Sequence, residues 1–227
     1  MDEIKNDNTI IVSATAGKKE DTLLYKSIKN EYIFDFCEDN REGLGIVYNR
    51  FIQDNKDLYK WIVFIHDDVS LNDVHLEEKF ENNYKKLGYD IQGVAGGVDP
   101  VLKPPFLWHI MCGGLQNNPN VHGEVAHYHE GNKILLSKYG SLPARVAIID
   151  GVFMAVRTEC FLKTDLKFDE QFDFHLYDID FSLQANKNKL KIGVVDINLI
   201  HKSHGLTERG FELFNKNQEK FCKKYIN

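Results

Sequence analysis

The 227-residue sequence contains no apolar run approaching the roughly 20 residues that a membrane-crossing helix needs. Its polar start, Met1 to Thr9, lacks the apolar segment of a secretory signal. Together these absences give the expectation of a cytoplasmic chain without a membrane span. Cysteine is scarce: Cys37, Cys112, Cys160 and Cys222 stand far apart and form no Cys-x-x-Cys pair. That spacing argues against both a disulfide framework and a thiolate zinc site, and leaves free buried thiols as the simplest reading. There is no basic stripe. The 28 lysines and arginines are spread among 34 acidic residues, for a formal charge of -6, so a nucleic-acid partner is not expected. No repeat or low-complexity linker divides the chain, which reads as one domain over residues 1–227.

What is present is a strand and helix alternation in a chain that is 43% hydrophobic, enough for one sizeable core. The apolar, β-branched stretch Thr9–Ala14 reads as a buried strand ending in the turn Thr15-Ala16-Gly17. A helix from about Lys19 to Asn30 should follow, then a strand over Tyr32–Phe36 with Glu38, Asp39 and Asn40 at its carboxyl end, where open α/β sheets bind ligands. Next come a helix around Gly45 to Asp54 and the wholly apolar Trp61–Ile65, expected to be a central strand, which stops at His66-Asp67-Asp68. The segment from Asp99 to Arg145 holds all five prolines and His109, His122, His127 and His129, and reads as long loops around a substrate cleft. Regular patterning resumes with Val146–Ile149, Val152–Arg157, a helix beginning near Asp178, and strands over Ile192–Val195 and Ile197–Ile200. Residues 208–227 predict an amphipathic helix with Phe211, Phe214 and Phe221 on one side and several lysines on the other. Packing on the domain is favoured for it over a membrane-surface role.

Two carboxylates directly after a central strand lie at the crevice edge of an open sheet. There they can hold a divalent cation that neutralises a diphosphate, or they can simply be solvated turn residues. Trp108, His109 and the His127-Tyr128-His129 triplet are placed to offer sugar faces apolar surface with polar tips. A histidine zinc site in the same loops is the weaker reading.

The block Phe168 to Ala185, which contains Tyr177-Asp178-Ile179-Asp180, is more specific. With Asp150-Gly151-Val152-Phe153 and the close His201-Lys202-Ser203-His204-Gly205, it resembles the glycosyltransferase family 2-like domain named after a streptomycin-biosynthesis protein, within the GT-A superfamily. The likeness runs from about Thr9 to Gly205. It implies an α/β fold of the GT-A type, with a mostly parallel central sheet flanked by helices. It also implies a hexosyl- or deoxyhexosyltransferase that binds Mn2+ or Mg2+, a nucleoside-diphosphate sugar donor and a glycan or glycoconjugate acceptor, and that inverts the anomeric centre.

Carried over position by position, the resemblance puts Asp67 and Asp68 at the Asp-x-Asp-type motif. Here the motif reads His-Asp-Asp, so either carboxylate can be the direct ligand, Asp68 being favoured, with His66 beside them. His201, or alternatively His204, matches a histidine metal ligand; a packed histidine at a strand end is the rival reading. Ser13, Ala14, Thr15, Glu38 and Asp39 match the nucleotide contacts. Asn49 sits where relatives hold a short polar residue, though it also reads as a helix-surface amide. Trp108, His109, Asp150 and Gly151 are expected on the acceptor side. The acidic pair that supplies the base in the superfamily corresponds to Tyr177 and Asp178, with its glutamate replaced, so Asp178 becomes the candidate base and an N-cap its rival role. Two other classes compete. A nucleotidyltransferase would want a glycine-rich phosphate loop, for which Thr15-Ala16-Gly17-Lys18-Lys19 is a weak match. A non-catalytic glycan- or nucleotide-binding module would keep the aromatic loops and dispense with the chemistry.

Overall fold

The computed structural model describes residues 8–129, 133–202 and 208–226. In chain order the elements are β1 (Thr9–Ala14), α1 (Leu23–Ile28), β2 (Ile33–Cys37), α2 (Leu44–Asn55), β3 (Trp61–Ile65), β4 (Val69–Leu71), α3 (Leu76–Leu87), β5 (Ile91–Gly93), β6 (Ala95–Gly97) and α4 (Trp108–Met111). They continue with β7 (Val121–His129), β8 (Lys133–Tyr139), β9 (Ala144–Val146), β10 (Ile148–Ile149), β11 (Phe153–Arg157), α5 (Glu159–Lys163), α6 (Tyr177–Lys187), β12 (Ile192–Val194), β13 (Leu199–His201) and α7 (Glu208–Tyr225).

Seven strands form the main sheet in the order β2-β1-β3-β11-β5-β12-β9. Its first three strands run parallel, as the strand and helix alternation requires. All five residues of β3 are buried, because both faces of this strand are covered. Beyond β3 the sheet is mixed: β11 returns from the Asp150-Gly151 turn antiparallel to both β3 and β5, and β5 pairs parallel with β12. A second sheet follows the order β10-β6-β7-β13-β4, with β8 paired to β7. One apolar cluster packs α2, α6 and the 161–181 aromatics against one face of the main sheet. Another packs Leu24, Ile28, Leu76 and Phe80 against the other face.

Four expectations change. The helix expected from Lys19 to Asn30 is a short 3-10 turn, Lys19–Asp21, followed by α1, whose start is capped by the Thr22 hydroxyl accepting from the Tyr25 amide. The stretch 99–145 is not all loop. It contains α4 and the β7–β8 hairpin, in which seven residue pairs run from Gly123–Tyr139 to His129–Lys133. Val146–Ile149 splits between two sheets, β9 pairing with β12 and β10 with β6. The helix α3 was not anticipated at all. The carboxyl-terminal helix α7 packs on the domain through buried Phe214 and Phe221, whereas Phe211 is exposed. No helix among the described residues is long and apolar enough to cross a membrane.

Candidate active site

The site grows from the end of β3. After Ile65 the chain leaves the sheet with the His66 amide bonded to the Val152 carbonyl, and turns into β4 over Asp67 and Asp68. Antiparallel pairing of β4 with β13 sets His201 opposite Val69, and the Lys202 amide donates to the Asp68 carbonyl at 3.0 Å. His201 is thereby carried to within 3.4 Å of the Asp68 carboxylate, measured from Nε2 to Oδ1. His66, Asp68 and His201 each offer one ligand atom, all within 4.8 Å of one another.

The electrostatics suit a cation. Burial lowers the affinity of His66 for a proton, which favours the neutral imidazole a metal would need. Burial acts against ionised Asp68, but His201 and His66 outweigh it and hold the carboxyl below its ordinary value. Asp68 Oδ1 is buried, and no donor completes a hydrogen bond to it. A buried carboxylate oxygen that receives no hydrogen bond is costly, and a bound cation would satisfy it. Two imidazoles and one carboxylate are therefore a fitting donor set for a divalent ion.

Open clefts flank the cluster. One, of about 650 Å³, is bordered by Thr15, Asn40, Arg41, Asp67 and Phe174. A second, of about 380 Å³, shares Thr15 and Asp67 with it and reaches Lys18, Asp68 and Lys202. A third, of about 170 Å³, lies beyond Phe174 and is lined by His66, Trp108, Asp150, Gly151, Tyr177 and Asp178 among others. The Phe174 ring, which borders the first and third, stacks on His66 at 5.7 Å between centroids. Asp178 reaches the third cleft because α6 begins there; its Oδ2 accepts the Gly151 amide at 2.9 Å. Burial and the nearby Asp150 carboxylate push the Asp178 carboxyl up to about 7. Asp150 is braced on both oxygens, by the Trp108 indole at 2.7 Å and the Val152 amide at 2.9 Å.

Residues 33–225 match a glycosyltransferase-like family. This chain belongs to that family. A comparison with curated protein sequences gives no significant match. Among solved structures, A197 from STIV superposes with a TM-score of 0.51 at 12% identity, covering 86% of each chain. The S. aureus TarS 1-349 structure in complex with UDP superposes with a TM-score of 0.54 at 10% identity, covering 97% of this chain and 71% of that one. The fold of this glycosyltransferase-like chain is thus the mixed α/β, GT-A type.

Within this member of the family, the residues named from sequence divide into two groups. Ala14, Thr15, Asp67, Asp68, His201, Trp108, Asp150, Gly151 and Asp178 border the connected clefts or the three-ligand cluster. Ser13 does not: it is fully buried, and its hydroxyl donates to the Ile65 carbonyl at 2.7 Å. Asn49 does not either, since its amide bridges the Phe168 backbone and the Glu170 carboxylate. Glu38 pairs with Lys19 and Asp39 with Lys18; it is the following Asn40 and Arg41 that border the cleft. His109 sits edge-on to Trp108, outside the residues lining the third cleft. His204 lies outside the described residues. Two residues given no firm role from sequence, His66 and Phe174, line the small third cleft, and Phe174 borders the first cleft as well. Adjacency to Asp67 was the signal for His66; nothing in the pattern marked Phe174.

Proposed function

We propose that this chain transfers a sugar from a nucleoside-diphosphate sugar to an acceptor hydroxyl, in a metal-dependent and inverting reaction. The observation that carries the reading is the His66, Asp68 and His201 cluster between an open cleft at the end of β1 and the small cleft that holds Asp178. Its membership of the glycosyltransferase-like family supports the same class, and we place it in the streptomycin-biosynthesis-type subgroup within it. The two-imidazole, one-carboxylate donor set favours Mn2+ over Mg2+, which prefers oxygen ligands and retained water. A bound divalent ion would offset the charge that develops on the departing diphosphate. Asp67 and Lys202 border the cleft where that diphosphate would lie.

On the acceptor side Trp108, fixed by its bond to Asp150, presents aromatic surface to a sugar ring. Asp178 takes the acceptor proton as the oxygen attacks. Because its carboxyl titrates near neutrality, it is a strong enough base for that step and is still ionised in a substantial fraction. A single displacement needs one base and one stabilised leaving group, and Asp178 with a bound cation would supply both, which supports inversion. Hexosyl or deoxyhexosyl donors, action in the cytoplasm, and one functional unit over residues 1–227 complete the reading.

A thermal-shift screen of nucleoside diphosphates and their sugars, with and without Mn2+, tests it. Ligands that bind the folded chain raise Tm by mass action. UDP comes first, because the TarS structure holds UDP. The expected outcome is a shift that needs both nucleotide and metal, followed by sugar transfer or slow donor hydrolysis with the best donor. A screen in which no nucleotide shifts Tm at millimolar concentration removes the donor site from this reading.

A further inference from the structure

We propose that Tyr177 is a positioning residue that holds His66 in the neutral tautomer with its proton on Nε2, leaving Nδ1 as the ring atom offered to a divalent cation. The inference rests on the reading of His66, Asp68 and His201 as a metal site, and adds to it which atom ligates and what selects it.

The argument is a count of protons. A tyrosine hydroxyl has one proton to give and two lone pairs to receive. The Tyr177 hydroxyl lies 3.0 Å from the Gly151 carbonyl oxygen, and that oxygen can only accept. The single Tyr177 proton is therefore committed to Gly151. The remaining neighbour of the Tyr177 oxygen is His66 Nε2 at 2.9 Å. With its own proton already placed, Tyr177 receives from His66, and Nε2 must carry hydrogen. In a neutral imidazole the other nitrogen, Nδ1, then has the free lone pair.

The setting makes this arrangement rigid. Tyr177 is 2% exposed and opens α6, its ring packed edge-on against Tyr48. On the other side His66 stacks against Phe174. Ligating histidines commonly have their second nitrogen held by such a partner, and losing that partner weakens metal binding by about 10- to 100-fold.

The test reads the ring directly. Long-range nitrogen-proton NMR of the full chain without metal should show neutral His66 protonated at Nε2. Tyr177→Phe removes only the hydroxyl and should lose that single-tautomer signature, and its Mn2+ affinity, measured by calorimetry without any sugar donor, should fall by about 10- to 100-fold. Tyr48→Phe, which deletes a neighbouring buried hydroxyl but leaves the contact to His66, should retain both the tautomer and the affinity. Its melting curve, compared with that of Tyr177→Phe, separates loss of the hydrogen bond from loss of packing. A parent protein with the proton on Nδ1, or a folded Tyr177→Phe protein with parental tautomer and parental Mn2+ affinity, overturns the proposal. A parent that shows the Nε2 tautomer but binds no divalent ion supports the role of Tyr177 and sinks the metal-dependent reaction instead.

Discussion

Asp178 and Asp180, two residues apart on α6, face opposite sides of the helix. Residues at i and i+2 diverge by about 200° around a helix axis. Asp178 borders the small cleft beside Trp108, while Asp180 has no exposed surface and accepts from Lys224, Tyr225 and Gln184 at 2.6, 2.7 and 2.6 Å. Asp178 is also not the N-cap of α6: that place belongs to Leu176, held at φ 69°. The two carboxylates therefore have separable consequences.

Asp178→Asn should keep the fold and donor binding yet lose transfer by about 100-fold or more, because an amide is a very poor proton acceptor. In the parent, transfer should rise with pH through about 7 as the carboxyl ionises. Stability runs the other way. The folded-state value lies above the ordinary 3.8, so the stabilising contribution of the protonated group is complete below that value and is lost as pH rises through about 7. Asparagine carries no charge to bury. Asp178→Asn should consequently raise Tm relative to the parent more at pH 8 than at pH 5. A variant that transfers sugar at the parental rate ends the assignment of the base.

Asp180→Asn should leave donor binding in place and loosen the end of α7. It breaks a buried ion pair with Lys224, whose side chain is 28% exposed, so the loss should be about 2–3 kcal/mol rather than the full cost of stranding a deeply buried charge. Denaturant unfolding measures it. Hydrogen exchange should localise the change to residues near Lys224 and Tyr225. Parental stability would mean that the pair contributes little and that Phe214, Phe221 and the remaining polar ties, such as Lys224 to Asp169, hold the helix.

How much of this could be read from sequence depends on how local each signal is. The strand β3 was legible because a continuous apolar run covered on both faces is unambiguous, and its abrupt polar end marked the site. Helix α3 escaped because only Leu76 and Phe80 of its twelve residues are buried, too few to stand out as an apolar stripe. The β7–β8 hairpin was hidden by the prolines around it and by Ile134, Leu135 and Leu136, which are exposed in succession where alternation would have signalled a strand. Asp178 was named a candidate base through family resemblance rather than spacing. The contact between His66 and Tyr177 joins residues 111 apart, and no periodicity reports that. Yet these are two places where the sequence departs from the acidic patterns of the superfamily, and the structure brings the two departures together.

Removing one ligand from the cluster should separate metal from nucleotide. Asp68→Ala deletes the buried oxygen that receives no hydrogen bond and should abolish the Mn2+-dependent part of nucleoside-diphosphate binding without harming the fold, since the residue lies in the turn after β3. His201→Ala should weaken the Mn2+ response while leaving metal-free nucleotide binding intact. Calorimetric titrations with and without Mn2+ distinguish the two effects. Equal affinities for variant and parent under both conditions would take the residue out of the site.

The least conspicuous residue of the site gives the most direct packing test. At Gly151 a Cβ would stand 2.3 Å from the Tyr177 hydroxyl, 2.7 Å from its Cζ and 3.0 Å from the Asp178 Cβ, so glycine is required by the close approach of α6 rather than by an unusual backbone angle. Both hydrogen bonds that tie α6 to this turn, the amide to Asp178 and the carbonyl from Tyr177, depend on that approach. Overpacking of this kind costs about 1–3 kcal/mol. Gly151→Ala should lower Tm accordingly. It should also weaken Mn2+ binding, because Tyr177 must shift away from His66 to make room. Gly17→Ala, where nothing lies within 4 Å of the added carbon, provides a stability control that should stay near parental Tm. If Gly151→Ala folds with parental Tm and parental Mn2+ affinity, α6 can move without disturbing His66, and the proposed coupling between α6 and the His66, Asp68 and His201 cluster does not exist.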